Sequence, residues 1–341
     1  MKFKFSLYDR REFFGAAAKA AAVFGITVSS RSARANPDQN SNPFAYDASR
    51  FRLTNPALIG YKEVARWRPS RRNARRIAVG ADNRIYLCAD NFVSVLTGEG
   101  QTLLEIALPD AARCVAADKD GTVFAATRDH VEVFDAHGAR RAKWEPIGKK
   151  SWLTGLAVTE NDVFAADSGA RVILRYDRSG KLLREIGHKN ADANVPGFVL
   201  PSPYLDVKVH PDGLLRVNNP GRHRVEAYTF EGDLEGFWGK ASAAVEGFCG
   251  CCNPIAISVL PDGRIVTGEK GFPRVKVYSS SGEFESVVAG TEAFPENAKE
   301  CAEPNDCTRG GLDVAVDLRG RIYIIDYVAG DLRVMERMRN G

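Results

Sequence analysis

The sequence is short of the side chains and motifs on which most enzyme chemistry is built. Its five histidines, His130, His137, His188, His210 and His223, are scattered over the repeats and their loops, so no histidine cluster is there to hold a metal or relay a proton. There is no Gly-x-Ser-x-Gly elbow, no P-loop and no Rossmann glycine pattern, which removes the usual support for hydrolase, kinase and dehydrogenase readings. Long apolar runs are missing too. A membrane helix needs about 20 mostly apolar residues, and the best candidate, Gly15 to Val28, is shorter and interrupted by Lys19. Basicity is missing once the N-terminus is set aside. Lys2, Lys4, Arg10, Arg11, Lys19, Arg31 and Arg34 against Asp9 and Glu12 outweigh the whole net charge of +4 and leave the remaining chain near −1. The charge therefore gives no reason to expect nucleic acid as a partner.

What is present begins with Asp9-Arg10-Arg11-Glu12-Phe13-Phe14, the Ala-rich run that follows, and Ala33-Arg34-Ala35. Paired arginines before an aromatic, a modest apolar run and a small-x-small cleavage site, in that order, resemble a twin-arginine export signal. The resemblance implies that residues 1–35 are removed, that Arg10 and Arg11 engage the export machinery, and that the protein is periplasmic or extracellular. It also implies export in the folded state, a route that admits a cofactor inserted beforehand. Residues 36–56, rich in Asn, Pro, Ser and Asp without an apolar period, read as an exposed linker.

From Ile77 onward the chain repeats. Each unit is an apolar strand, an Asp/Gly turn, a second apolar strand, a polar turn and a third strand with aromatic and Val residues. Six copies start near Ile77, Val115, Leu156, Val207, Ile255 and Asp313. Short strands with Gly-marked turns at this spacing predict the blades of a six-bladed β-propeller over residues 57–341 rather than a sandwich. The sixth copy runs out of chain after Val334, and the extended segment Leu58 to Trp67 is expected to supply its missing outer strand and close the ring. The cluster Arg66, Arg68, Arg71, Arg72, Arg75 and Arg76 that follows, with one tryptophan, reads as a solvated loop with locally paired arginines, the alternative being a surface for phosphate or an acidic partner. Ala166-Asp167-Ser168-Gly169-Ala170-Arg171-Val172 and Asn219-Pro220-Gly221-Arg222-His223-Arg224-Val225 resemble the signature of NHL-repeat propellers. Such propellers serve as scaffolds and as protein or RNA binders, and their lyase-like and lactonase-like relatives are metal-dependent enzymes, so the resemblance speaks for fold more than for activity.

Two groups of residues are candidates for chemistry. Cys249, Cys251, Cys252, Cys301 and Cys307 lie in the segments entering the fifth and sixth repeats, and a propeller would bring them out together on one face. In an oxidising compartment disulfides are the expectation, running from the Cys249-to-Cys252 triplet to Cys301 and Cys307, since adjacent cysteines bridge poorly. The alternative is a metal or iron–sulfur centre, although the spacings match no standard zinc or ferredoxin pattern. Cys88 and Cys114 read as small buried hydrophobes. The second group is the acidic or amide residue that ends each second strand, Asp90, Asp167, Asn219, Glu269 and Asp326. These either cap turns through backbone amides or converge to hold a divalent cation, as the lactonase-like relatives imply. Beside Glu269, Lys270 and Arg274 offer cations to a carboxylate-bearing ligand or pair locally. Three functions follow from these readings. The leading one is a binding or scaffold module taking a protein or small-molecule ligand on its cysteine-bearing face, the second a metal or iron–sulfur redox protein, and the third a lactonase-like or lyase-like enzyme.

Overall fold

The computed structural model describes residues 51–299 and 310–338. Within them lie six four-stranded antiparallel sheets. The first is β2 (Ala74–Val79), β3 (Ile85–Ala89), β4 (Phe92–Leu96) and β5 (Thr102–Ala107), and the second is β6 (Cys114–Ala117), β7 (Val123–Ala126), β8 (Val131–Phe134) and β9 (Arg140–Lys143). The third is β10 (Leu153–Val158), β11 (Asp162–Asp167), β12 (Val172–Asp177) and β13 (Leu182–Ile186), and the fourth β14 (Val207–Val209), β15 (Leu215–Asn219), β16 (Arg224–Tyr228) and β17 (Leu234–Trp238). The fifth is β18 (Ala256–Val259), β19 (Ile265–Gly268), β20 (Val275–Tyr278) and β21 (Phe284–Ala289). In the sixth, β22 (Leu312–Val316), β23 (Ile322–Asp326) and β24 (Leu332–Arg337) are completed by β1 (Tyr61–Trp67) from the other end of the chain.

The sheets are the expected repeats, and β1 closes the ring where the sequence predicted, beginning at Tyr61 because Pro56–Leu58 forms a short 3-10 turn capped by Asn55. β1 pairs with β24 from Tyr61↔Arg337 to Trp67↔Leu332, with one irregularity between Glu63 and Ala65. Each sheet's first strand faces the axis, and the inner strands β2, β6, β10, β14, β18 and β22 follow one another around it. Both faces of the middle strands are buried, which is why they read as continuous apolar runs such as Ile85-Tyr-Leu-Cys-Ala89 and Val163-Phe-Ala-Ala166. The core consists of apolar layers between neighbouring blades, for example Phe124, Trp144, Leu156 and Tyr176 between the second and third. Cys88 and Cys114 are buried in those layers.

The outer strands lock to the next blade by one repeated device. Trp67, Trp144 and Trp238, at the ends of outer strands, lie against Gly100, Gly180 and Gly282 in the following blade's last turn, each glycine at positive φ. A Cβ at Gly282 would sit 2.1 Å from Trp238 Cγ, so only glycine admits the indole there. Among the described residues no helix is long and apolar enough to cross a membrane, and α1 (Pro295–Lys299) spans little more than one turn.

Candidate functional site

The inner strands begin on one face of the ring, and there the axis opens into a cup of about 480 Å³. Its wall includes Arg75, Arg113, Trp152, Tyr204 and Tyr327, with Arg76 and Thr154 at its base. The opposite ends of the same strands surround a second cavity of about 230 Å³, whose lining includes Val79, Ala117, Val158, Val209, Val259 and Val316, one from each blade, together with Lys208 and Ser258. Between the two lies a constriction of about 10 Å³, room for roughly one water.

Four buried or half-buried charges from three blades close that constriction. Arg76 Nη1 donates to Asp313 Oδ1 at 2.8 Å and reaches Asp206 Oδ2 at 3.5 Å, while Lys208 Nζ donates to Asp206 Oδ1 at 2.7 Å. The carboxylates also accept backbone amides, Asp313 from Ile77 at 2.8 Å and Asp206 from Val207 at 3.0 Å and Ile257 at 3.2 Å. Gly155 makes room for this, since a Cβ there would stand 2.7 Å from Asp206 Oδ1. Burial works against charge on Arg76, but Asp313 and Asp206 outweigh it and hold the guanidinium cationic. The Arg76 Nη2 is buried and has no hydrogen-bond partner among the described residues.

On the wall, the Arg113 guanidinium stacks on Trp152 with its Cζ 3.7 Å from the ring centroid, and Arg128 approaches the same indole at 5.6 Å. Arg75 lies 5.6 Å from the centroid of Tyr327. Burial lowers the Arg113 pKa, with Asp110 and the Cys114 sulfur pulling the other way. Burial likewise raises the phenols of Tyr204 and Tyr327, which stay protonated as hydrogen-bond donors.

The cysteine lip stands on this same face. Asn253 ties its base down by donating to Cys249 O at 2.7 Å and Lys270 O at 2.8 Å while accepting from Lys270 N at 2.9 Å. His223 ties its tip down through Nε2, 2.6 Å from Gly250 O. Cys252 is buried and its Sγ lies 3.3 Å from that of Cys251. Cys249 points inward, with its thiol 3.9 Å from Glu269 Oε2, and burial followed by that carboxylate pushes it up to about 11. Lys270 links lip and cup, its ammonium 5.0 Å from the centroid of Tyr204 and 3.4 Å from Ser202 Oγ. Cys301 and Cys307 lie outside the described residues, and among those described no group of three or more His, Cys, Asp or Glu side chains is placed to hold a metal ion.

Beneath the lip the predicted Glu269 and Arg274 come together. Arg274 Nη2 donates to Glu269 Oε2 at 2.9 Å, and Lys276 Nζ pairs with Oε1 at 2.7 Å while donating to Gly247 O at 2.6 Å. Arg274 is 2% exposed, so its charge is spent on Glu269 and the Ala243 carbonyl instead of facing a ligand. The remaining residues at the ends of second strands sit away from the axis and bond locally. Asp167 Oδ1 accepts from the amides of Trp152, Gly169 and Ala170, and Asp326 Oδ1 from those of Val328 and Ala329 and from Asn297 Nδ2. Asn219 Oδ1 accepts from Val199 N. Asp90 alone of the set lines the cup, bonded to Asn73 Nδ2 at 2.8 Å.

Sequence reasoning missed Asp206, Asp313 and Lys208 as site residues and placed Arg76 only within the arginine cluster. Their signal was a charged residue at the start of an otherwise apolar first strand, as in Leu205-Asp206-Val207 and Leu312-Asp313-Val314. The Arg-rich stretch divides in the structure: Arg66 pairs with Glu63 and Arg71 with Glu105, as a solvated loop would, whereas Arg75 and Arg76 reach the cup.

These blades and this axial cup define a six-bladed β-propeller. Neither a protein-family profile nor a curated protein matches the sequence. Among solved structures the chain is similar in fold to a streptogramin B lyase, with a TM-score of 0.53 and 12% identity over 83% of this chain and 100% of that one. It is similar also to virginiamycin B lyase from Staphylococcus aureus, at TM-score 0.53 and 13% identity over 82% of this chain and all (100%) of the other. A catalytically inactive variant of that lyase with quinupristin matches at 0.53 and 14% over the same shares, 82% and 100%. At such identities the likeness is one of fold.

Proposed function

We propose that this chain is an exported, NHL-type propeller that binds a small-molecule ligand in the axial cup on its cysteine-bearing face. The observation that carries the reading is the cup itself, which is open to one side, closed below by the Arg76, Asp206, Lys208 and Asp313 cluster, and walled by aromatic and cationic side chains. Its volume falls within the range of about 300–1,000 Å³ common to small-molecule sites. Export follows from the paired Arg10 and Arg11 and the small-x-small site ending at Ala35. A lyase-like activity, the alternative raised by the fold's neighbours, has less support, because among the described residues lining the cup none is a histidine and the single carboxylate, Asp90, is engaged by Asn73. Native mass spectrometry of protein recovered from its export compartment tests the binding reading. A bound small molecule is expected, and Ala111→Trp, which places an indole at the half-buried rim, is expected to lose it. Identical spectra for the two proteins would contradict the proposal.

A further inference from the structure

Two guanidinium donors at the cup are unspent. Arg76 is 7% exposed, its Nη1 is committed to the aspartates below, and its Nη2 is buried with no acceptor among the described residues. Arg113 carries a buried Nε that also lacks an acceptor among the described residues, although its guanidinium is stacked on Trp152. A buried donor without a partner is costly, more so when it is charged, and native structures keep few of them unless something fills the gap.

The charges point the same way. In the closing cluster Arg76 and Lys208 balance Asp206 and Asp313, so the base is neutral in sum. Above it Arg75 and Arg113 share the wall with Asp90, Asp110 acts on Arg113, and Arg128 stands at the edge against the ring of Trp152. Among the described residues the lining of the cup thus carries more cations than carboxylates, and two of its guanidinium groups keep a buried N–H without an acceptor. Its volume is far beyond what an inorganic anion fills, and the rings of Trp152, Tyr204 and Tyr327 offer apolar and π surface for the rest of a ligand.

We infer that the ligand of the cup is an organic oxyanion, a carboxylate or phosphate monoester on an apolar body, whose charged end accepts from Arg76 and Arg113 while its body lies among the aromatic rings. The inference rests on the cup being the ligand site and adds the chemical class. Guanidinium planes suit such headgroups because their N–H groups match paired oxygens.

Isothermal titration of the full chain with 1-naphthoate, 1-naphthyl phosphate and the uncharged 1-naphthamide tests it. One or both anions are expected to bind at least about tenfold more tightly than the amide, the size of one lost charge-assisted bond. The tighter anion of the two identifies the headgroup. Arg113→Gln, on the wall and outside the closing cluster, is expected to weaken the anion about tenfold and leave the amide unchanged, with an unaltered melting temperature showing that the variant is folded. Equal binding of anion and amide, or an Arg113→Gln protein that binds the anion as tightly as wild type, overturns the oxyanion and leaves the cup as a ligand site. Failure of both anions to bind, in a protein whose natural ligand is still lost on Ala111→Trp, likewise overturns only the class. Anion binding that survives Ala111→Trp overturns the cup and the class together.

Discussion

Lys276 is the most fully enclosed cation beneath the cysteine lip, 0% exposed and surrounded by the Phe248 and Tyr278 rings, with its ammonium 4.6 and 5.3 Å from their centroids. Burial lowers its pKa to about 8, and the attraction of Glu269 recovers only part of the loss. The folded amine thus releases its proton near pH 8 while the unfolded amine, at the usual 10.5, still holds it. Between those values the unfolded state binds more protons, so the stability of the folded state rises with pH across that window. Urea unfolding at pH 8 and pH 10 is expected to show this gain in the wild type and its loss in Lys276→Met. The neighbourhood also shows where sequence reading succeeds and fails. Glu269, Lys270 and Arg274 stand out in the sequence as a departure from the repeat, and the local ion pair of Glu269 with Arg274 is one of the two roles that departure predicts. Lys276, hidden in Val275-Lys-Val-Tyr278, resembled the polar member of an alternating strand, and only the stacking of blades reveals that both sides of that strand are covered. The axial charges were hidden for the same reason, because a charge at the start of an apolar strand acquires meaning only when other blades bring Asp206 and Asp313 to Arg76.

Among the elements, the turns carry more of the fold's specificity than the strands. Alternation and Gly-marked turns made the blades and their closure legible, because each depends on residues close in sequence or on a single missing strand. The tryptophan lock was not legible, since it pairs Trp238 of one blade with Gly282 of the next across separate periods. Its worth can be isolated. Gly282 and Gly213 both sit at positive φ, 91° and 85°, but nothing lies within 4 Å of a Cβ built on Gly213. Gly213→Ala is expected to cost about 1 kcal/mol of backbone strain, and Gly282→Ala about 2–4 kcal/mol, because the indole must also move. Thermal unfolding of the two variants provides the comparison, and equal losses would show that the lock contributes nothing beyond its backbone. The same contrast separates the two roles considered for the residues at the ends of second strands: Asp167 and Asp326 serve the turns, each gathering amides that would otherwise lack acceptors.

For the whole molecule, the proposed destination and the proposed ligand are separable. Replacing Arg10 and Arg11 with lysine is expected to leave the protein on the cytoplasmic side in cell fractionation, with its melting temperature and ligand binding unchanged once it is purified. An export defect accompanied by lost binding would mean that the ligand is acquired only outside.

The closure of the ring has one more consequence. Five blades are each made from consecutive strands, and the sixth alone joins the two ends of the fold, where Met338 N donates to Gly60 O at 2.9 Å. The order of the blades along the gene is therefore arbitrary to the folded molecule. Linking those adjacent ends through a short flexible segment and opening the chain in the exposed turn at residues 191–194 moves the seam from the sixth blade to the boundary of the third and fourth. Such a circular permutant is expected to fold to the same far-ultraviolet spectrum, with a stability within about 1–2 kcal/mol of the parent, since surface turns tolerate new termini. If the permutant fails to fold, the seam between β1 and β24 is a starting point that folding requires, and the chain is not the freely rotatable circle its strand pairing describes.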